Sequence, residues 1–212
     1  MRRSRSLEPF IHRLTLGLSF IVLLLLPGAG QAATDPAEAR AFIVTLADRA
    51  IAALTPPDIS RQERERRCRD LLRANFGVET IGQFVLGRHW RTATPEERQE
   101  FMTLFEEFIV GTYADRFSRY TGQNLEVIDA TTEPETGDAL VKSQIERRGG
   151  APVQVGWRVR QQPEGLRIVD VTVEGVSMGV TQRSDFASVI RNNGGTVTGL
   201  IDEMRKRVRS AG

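Results

Sequence analysis

Gly175-Val176-Ser177-Met178-Gly179 fits the G-x-S-x-G pattern in which a serine at a sharp strand-to-helix turn attacks a carbonyl carbon. That chemistry needs a parallel sheet, a helix directly after the serine, and an acid followed by a histidine further along the chain. Here the strands before Ser177 read as hairpins, the next helix is predicted only from Ser184, and no histidine follows. His89 precedes the serine, so the order is wrong for a hydrolase. The segment reads instead as a bend where the last strand leaves a sheet, with Val176 and Met178 turned inward. Two further sets of reactive types are thin. Cys68 is the single cysteine and His89 the single histidine after the leader, which excludes an intramolecular disulfide and a zinc site of the His/Cys type. Asp129, Asp170 and Tyr113 are the candidates for acid or base work in an apolar pocket, the alternative being strand-end and helix-surface polar groups.

The elements that must position these residues begin after residue 32. Arg2, Arg3, Arg5 and Arg13 precede the uncharged run Leu14 to Leu26, and small or turn-forming residues follow to Ala33. This order describes a secretory leader cut before Ala33, too short in its apolar part to span a bilayer. The whole chain has 29 basic and 27 acidic residues; without residues 1–32 it has 25 and 26, a net charge of −1. The apparent basicity therefore belongs to the leader, and the mature chain lacks the electrostatic footprint of a nucleic-acid binder. Residues 33–212 are long enough for a single domain resting on its own core.

That domain divides into a helical half at about 37–120, a sheet at about 124–175, and C-terminal helices at about 184–209. Ala37 to Leu54 carries apolar residues at three- and four-residue spacing, and Pro56-Pro57 ends it. Asp58 or Ser60 can cap a second helix reaching about Asn75, and a shorter helix ends at Gly87. Thr94-Pro95-Glu96-Glu97 is a strong helix start, opening a long helix to about Tyr120 with a stripe of Phe101, Phe105, Phe108 and Ile109. After Gly122 the period changes to two. Val153, Val155, Trp157 and Val159 alternate with polar neighbours, and Val169, Val171 and Val173 alternate with Ile168, Asp170 and Thr172. Turn signals at 135–138, 149–150 and 163–165 leave no room for helical crossovers, so the strands form an antiparallel meander.

Glu174-Gly175-Val176-Ser177-Met178, the helix Asp185 to Ile190 and Gly194-Gly195 resemble the periplasmic lipid-binding component of Mla-type, or toluene-tolerance, transport systems. So do Phe84 to Trp90, Ala93 to Arg98 with Phe101, Phe105 and Phe108, and Tyr120 to Gln123. The resemblance covers most of residues 37–208, with a short hairpin at 149–152 and only a helical pattern before Phe84. It implies an α+β fold: a curved antiparallel sheet with helices over its concave face, enclosing an apolar pocket for acyl chains. It also implies a non-enzymatic, monomeric periplasmic carrier of phospholipid without a cofactor. Its implied partners are an inner-membrane ABC transporter and an outer-membrane lipoprotein–porin complex, and its implied role is maintaining outer-membrane lipid asymmetry. Facing and resemblance together nominate Phe105, Phe108, Ile109, Thr112, Val155, Trp157, Val159, Val169, Val171, Val173, Val176 and Met178 as lipid-binding. A hopanoid cargo, a cavity enzyme of the cone-shaped α+β type acting on a small apolar substrate, and an exported adaptor without a cavity are the alternatives.

Overall fold

The computed structural model describes residues 33–147 and 149–211, which belong to one compact unit. The proposed leader lies outside them. Helix α1 (Pro36–Leu54) is capped by Asp35, whose carboxylate accepts from Ala37 N at 2.7 Å. Ser60 caps α2 (Arg61–Asn75), accepting from Glu63 N at 3.1 Å. A third helix, α3 (Val78–Leu86), ends at Gly87, and the single turn α4 (His89–Thr92) leads to α5 (Pro95–Ser118). The Thr94 signal is used in full: its hydroxyl accepts from Glu97 N and Glu97 returns to Thr94 N, the reciprocal capping box.

Strands β1 (Leu125–Thr132), β2 (Ala139–Ile145), β3 (Val153–Gln162), β4 (Gly165–Val173) and β5 (Val176–Ser177) pair antiparallel in sequence order. Helices α6 (Met178–Asn192) and α7 (Val197–Ala211) follow. On one face of the sheet lie Val127 and Ala130, Ala139, Val141 and Ser143, Val155, Trp157 and Val159, and Ile168, Val171 and Val173, from β1 to β4. Helix α1 presses Ala39, Ile43 and Leu46 onto this face, excluding solvent from Ala139, Val141, Val159 and Ile168. A second cluster joins Val85, Phe101, Phe105, Phe186, Leu200 and Ile201 from α3, α5, α6 and α7. A third packs Leu54, Cys68, Leu72, Val110 and Ala114 between α1, α2 and α5. Burial pushes the Cys68 thiol up to about 11, so it stays protonated and unreactive.

Strict alternation fails at two places, and both tie a helix to the sheet. A bulge displaces the β1 register at Ile128, and the neighbouring Val127 carbonyl accepts from Arg40 Nη2 of α1 at 2.6 Å. A second bulge makes Val159 pair with Ile168 and Arg158 with Asp170, leaving Val169 without a ladder partner in β3. Ile168, expected on the face opposite Val171 and Val173, is therefore buried on theirs, and its carbonyl accepts from Gly77 N at the start of α3 at 2.9 Å. An extra residue resets the period-two register, which no pattern of apolar residues reveals.

Where β1 meets β2, Asp138 is sealed from solvent and accepts from Arg160 Nε and Nη2 at 2.7 and 2.8 Å. Arg158 bonds Glu133, and this guanidinium with the Thr136 hydroxyl holds the Glu133 carboxyl down at about 2 against an ordinary 4.5. Glu63, between Arg66 and Arg67, is held down likewise. A carboxylate so depressed stabilises the fold fully above about pH 4.5, and that contribution is lost as the pH falls through about 2. Thermal melts should therefore drop across this window, and Arg158→Leu should flatten the decline; parallel curves for the two proteins would refute the assignment.

Candidate functional site

The twelve nominated residues are six on the sheet, four on α5 and two at the bend after β4; Trp157, Val159 and Val171 belong with the cluster beneath α1, and Phe105, Phe108 and Ile109 with the helical one. Val155 pairs with Val173 and Trp157 with Val171 on adjacent rungs of the covered sheet face. Val155 is 6% exposed and Val159 fully buried, while Trp157, Val171 and Val173 are half-buried. Half-buried Val169 sits in the bulge, its Cγ1 3.4 Å from where a Cβ on Gly77 would stand. The α5 group lies among helices. Phe105 is buried, stacked on Phe101 at 5.6 Å between ring centroids and edge-on to Phe186 at 6.2 Å. Phe108 and Ile109 flank that cluster, and the Thr112 hydroxyl bonds back to the Phe108 carbonyl at 2.7 Å. Met178 is half-buried, but Val176, expected to turn inward, is 56% exposed.

Around Ser177 the structure corrects the sequence reading. Glu174 and Gly175 both adopt positive φ, 51° and 78°, as a two-residue type I′ turn requires, and β4 folds straight back into β5. Helix α6 then begins at Met178, not near Ser184, so a helix does follow the serine directly. The serine is spent on starting that helix. Its Oγ accepts from Val180 N at 3.0 Å and donates to Asp170 Oδ2 at 2.6 Å. Asp170 Oδ1 accepts from Gly179 N at 3.1 Å and from its neighbour Val171 N at 2.8 Å, so β4 supplies a second cap from outside the helix. A Cβ on Gly179 would stand 3.1 Å from Asp170 Oδ1 and 3.2 Å from Phe84, which explains the small residue there. The sequence signal was the serine alone, because Met-Gly-Val-Thr is a weak helix opening. Ser177→Ala should cost about 1 kcal/mol of stability through the lost cap, and a fluorophosphonate should not label the parent. Labelling at Ser177 would restore the hydrolase reading.

The three acid–base candidates do not assemble. Asp129 is exposed and 4.0 Å from Lys142, on the sheet face away from α1. Asp170 is separated from it by β2 and β3, about 14 Å at the usual ~4.8 Å strand spacing. Tyr113 is 39% exposed with the Arg116 guanidinium 5.3 Å from its ring centre. Among the described residues no three of His, Cys, Asp and Glu gather to hold a metal ion. A cleft of about 330 Å³ lies between the α2–α3 junction and the β3–β4 turn, lined by Arg73, Glu79, Thr80, Gln83, Gln162 and Glu164 among others. It is polar and includes none of the twelve nominated residues.

This arrangement, an antiparallel meander with helices packed against it, recurs in known proteins. Residues 45–206 match the family model described as MlaC protein. The chain belongs to the MlaC family. It is 25% identical over 135 residues to the intermembrane phospholipid transport system binding protein MlaC of Haemophilus influenzae, covering 61% of each chain. It is also 25% identical over 124 residues to the toluene tolerance protein ttg2D of Pseudomonas putida, covering 58% of this chain and 57% of that one. This MlaC-family chain thus spans about three fifths of the length of the curated relatives it matches. A solved structure of the phospholipid-binding protein from Ralstonia solanacearum, in complex with a phospholipid, superposes with a TM-score of 0.70 at 25% identity. The match covers 82% of this chain and 98% of that one. The resemblance first carried by the blocks at 84–108 and 174–195 is borne out, and with it the α+β fold.

Proposed function

We propose that this chain is a periplasmic phospholipid carrier without catalytic activity, exported through a leader removed before Ala33. The observation that carries the reading is the apolar sheet face formed by Val155, Trp157, Val171 and Val173, partly covered by helices, in a fold that matches a phospholipid-bound protein. Two acyl tails hold about thirty methylenes, and at roughly 0.8 kcal/mol each their transfer to water costs more than ~20 kcal/mol. Free diffusion of the lipid is therefore too slow, and a carrier must bury both tails and leave the headgroup outside.

Taking each methylene as about one water volume, ~30 Å³, the tails need about 900 Å³. The 330 Å³ cleft is too small and too polar for them. The tails would lie instead between the sheet face and the helices that partly cover it, which part on loading. Cargo passes by contact between an inner-membrane ABC transporter and an outer-membrane lipoprotein–porin complex, with the protein acting as a monomer to maintain lipid asymmetry. Mass spectrometry of organic extracts from gently purified protein should find about one phospholipid per chain. A hopanoid in the extract would change the cargo; clean extracts together with no uptake from liposomes would overturn the carrier.

A further inference from the structure

Trp157 is the one aromatic residue in the five strands, and it stands at a boundary on the covered sheet face. Toward the β1–β2 hairpin, the adjoining rung of Ala139, Val159 and Ile168 is wholly buried beneath α1. On the next rung beyond it Val127, Ser143 and Val155 are still buried; the half-buried positions are Val171 and Val173 on β4 and, one rung farther out, Val153 and Ile145. The indole itself does not stand on its own rung. Its Nε1 donates to Ser143 Oγ at 2.9 Å, and Ser143 lies opposite Val155, one rung away, so the ring leans diagonally across the face. Ser143 is 1% exposed, and its hydroxyl donates to the Val155 carbonyl at 3.0 Å. A buried serine on an otherwise aliphatic face is thereby satisfied, and it fixes one ring orientation.

Resting on the carrier reading above, we propose that Trp157 is the end-stop of the acyl site. The indole, held by Ser143, closes off the packed end of the sheet face and sets how long a chain the protein accepts. Acyl chains lie along Val171 and Val173 and abut the ring. The residue thus determines specificity for tail length, whereas nothing in this contact reads the headgroup.

The test loads the full mature chain from vesicles containing an equimolar mixture of phosphatidylglycerols of graded chain length, and reads the bound species by mass spectrometry. Trp157→Ala opens space beyond the stop, so its bound population should shift to longer chains, by about fourfold relative to the parent for each methylene that the parent leaves in water and the variant buries. Trp157→Phe should shift it less, and Ser143→Ala, which frees the ring without removing it, should broaden the distribution. A folded Trp157→Ala protein with the parent's distribution overturns the end-stop. Should that variant fail to fold, Trp157→Phe decides: no shift overturns it. A parent that takes up no lipid refutes the carrier instead, a separate outcome.

Discussion

Val171→Asp should yield a folded protein that has lost its lipid. Val171 is half-buried on the covered sheet face, opposite Trp157 and next along the face to Val173. An ionised carboxylate left unpaired in an apolar site costs several kcal/mol, or is neutralised by a raised pKa. At a partly open position, water reaches the new group once the acyl chain has gone, so the fold tolerates it. The same change at Val159, fully buried beneath α1, should unfold the chain. Val155, at 6% exposure, should lose lipid with a larger fall in stability than Val171→Asp. Circular dichroism and lipid extraction on the same samples decide each case. An unfolded Val171→Asp protein assigns that residue to the close-packed core; a folded one with full lipid content rejects the site.

Phe105→Ala should have the opposite signature, a large loss of stability with lipid retained by the molecules that remain folded. Phe105 is 2% exposed and locked between Phe101 and Phe186 in the helical cluster. Truncating a buried phenylalanine removes its apolar contacts and leaves a cavity, together about 3–5 kcal/mol. In a domain of this size each kcal/mol lowers Tm by about 2–4 °C, so the melt should fall by roughly 10 °C. A loss below about 1 kcal/mol, accompanied by loss of lipid, would move Phe105 from the core to the acyl wall. Calorimetry and lipid quantification on the variant separate the two.

The pair of experiments addresses an ambiguity built into the sequence. Phe105 and Val171 are both apolar residues at regular spacing, and a core and a pocket wall draw on the same residue types. Periodicity tells which side of an element is apolar, but not what stands opposite it. In the structure α5 sends its phenylalanine stripe toward α3, α6 and α7, while α1 is the helix that covers most of the sheet. Phe105 and Phe108 therefore sit in the helical cluster and Trp157, Val159 and Val171 in the one beneath α1, although the sequence read the two sets as walls of one space.

What the sequence determined by itself are the features whose causes lie within a few residues. Thr94 and Glu97 cap α5, Ser60 caps α2, Gly87 ends α3, and the short turns between alternating strands force a meander. Only the tertiary structure decided the features whose causes arrive from distant parts of the chain. Asp170 on β4 caps α6 and advances its start to Met178, and the bulge at Val169 buries Ile168 and frees its carbonyl for Gly77. Ser143, which reads as one more polar residue in a strand, becomes a buried partner of Trp157 through cross-strand pairing. Local backbone preferences are carried by neighbouring residues and are legible in order; caps, bulge positions and buried polar pairs depend on groups that meet only when the chain has folded.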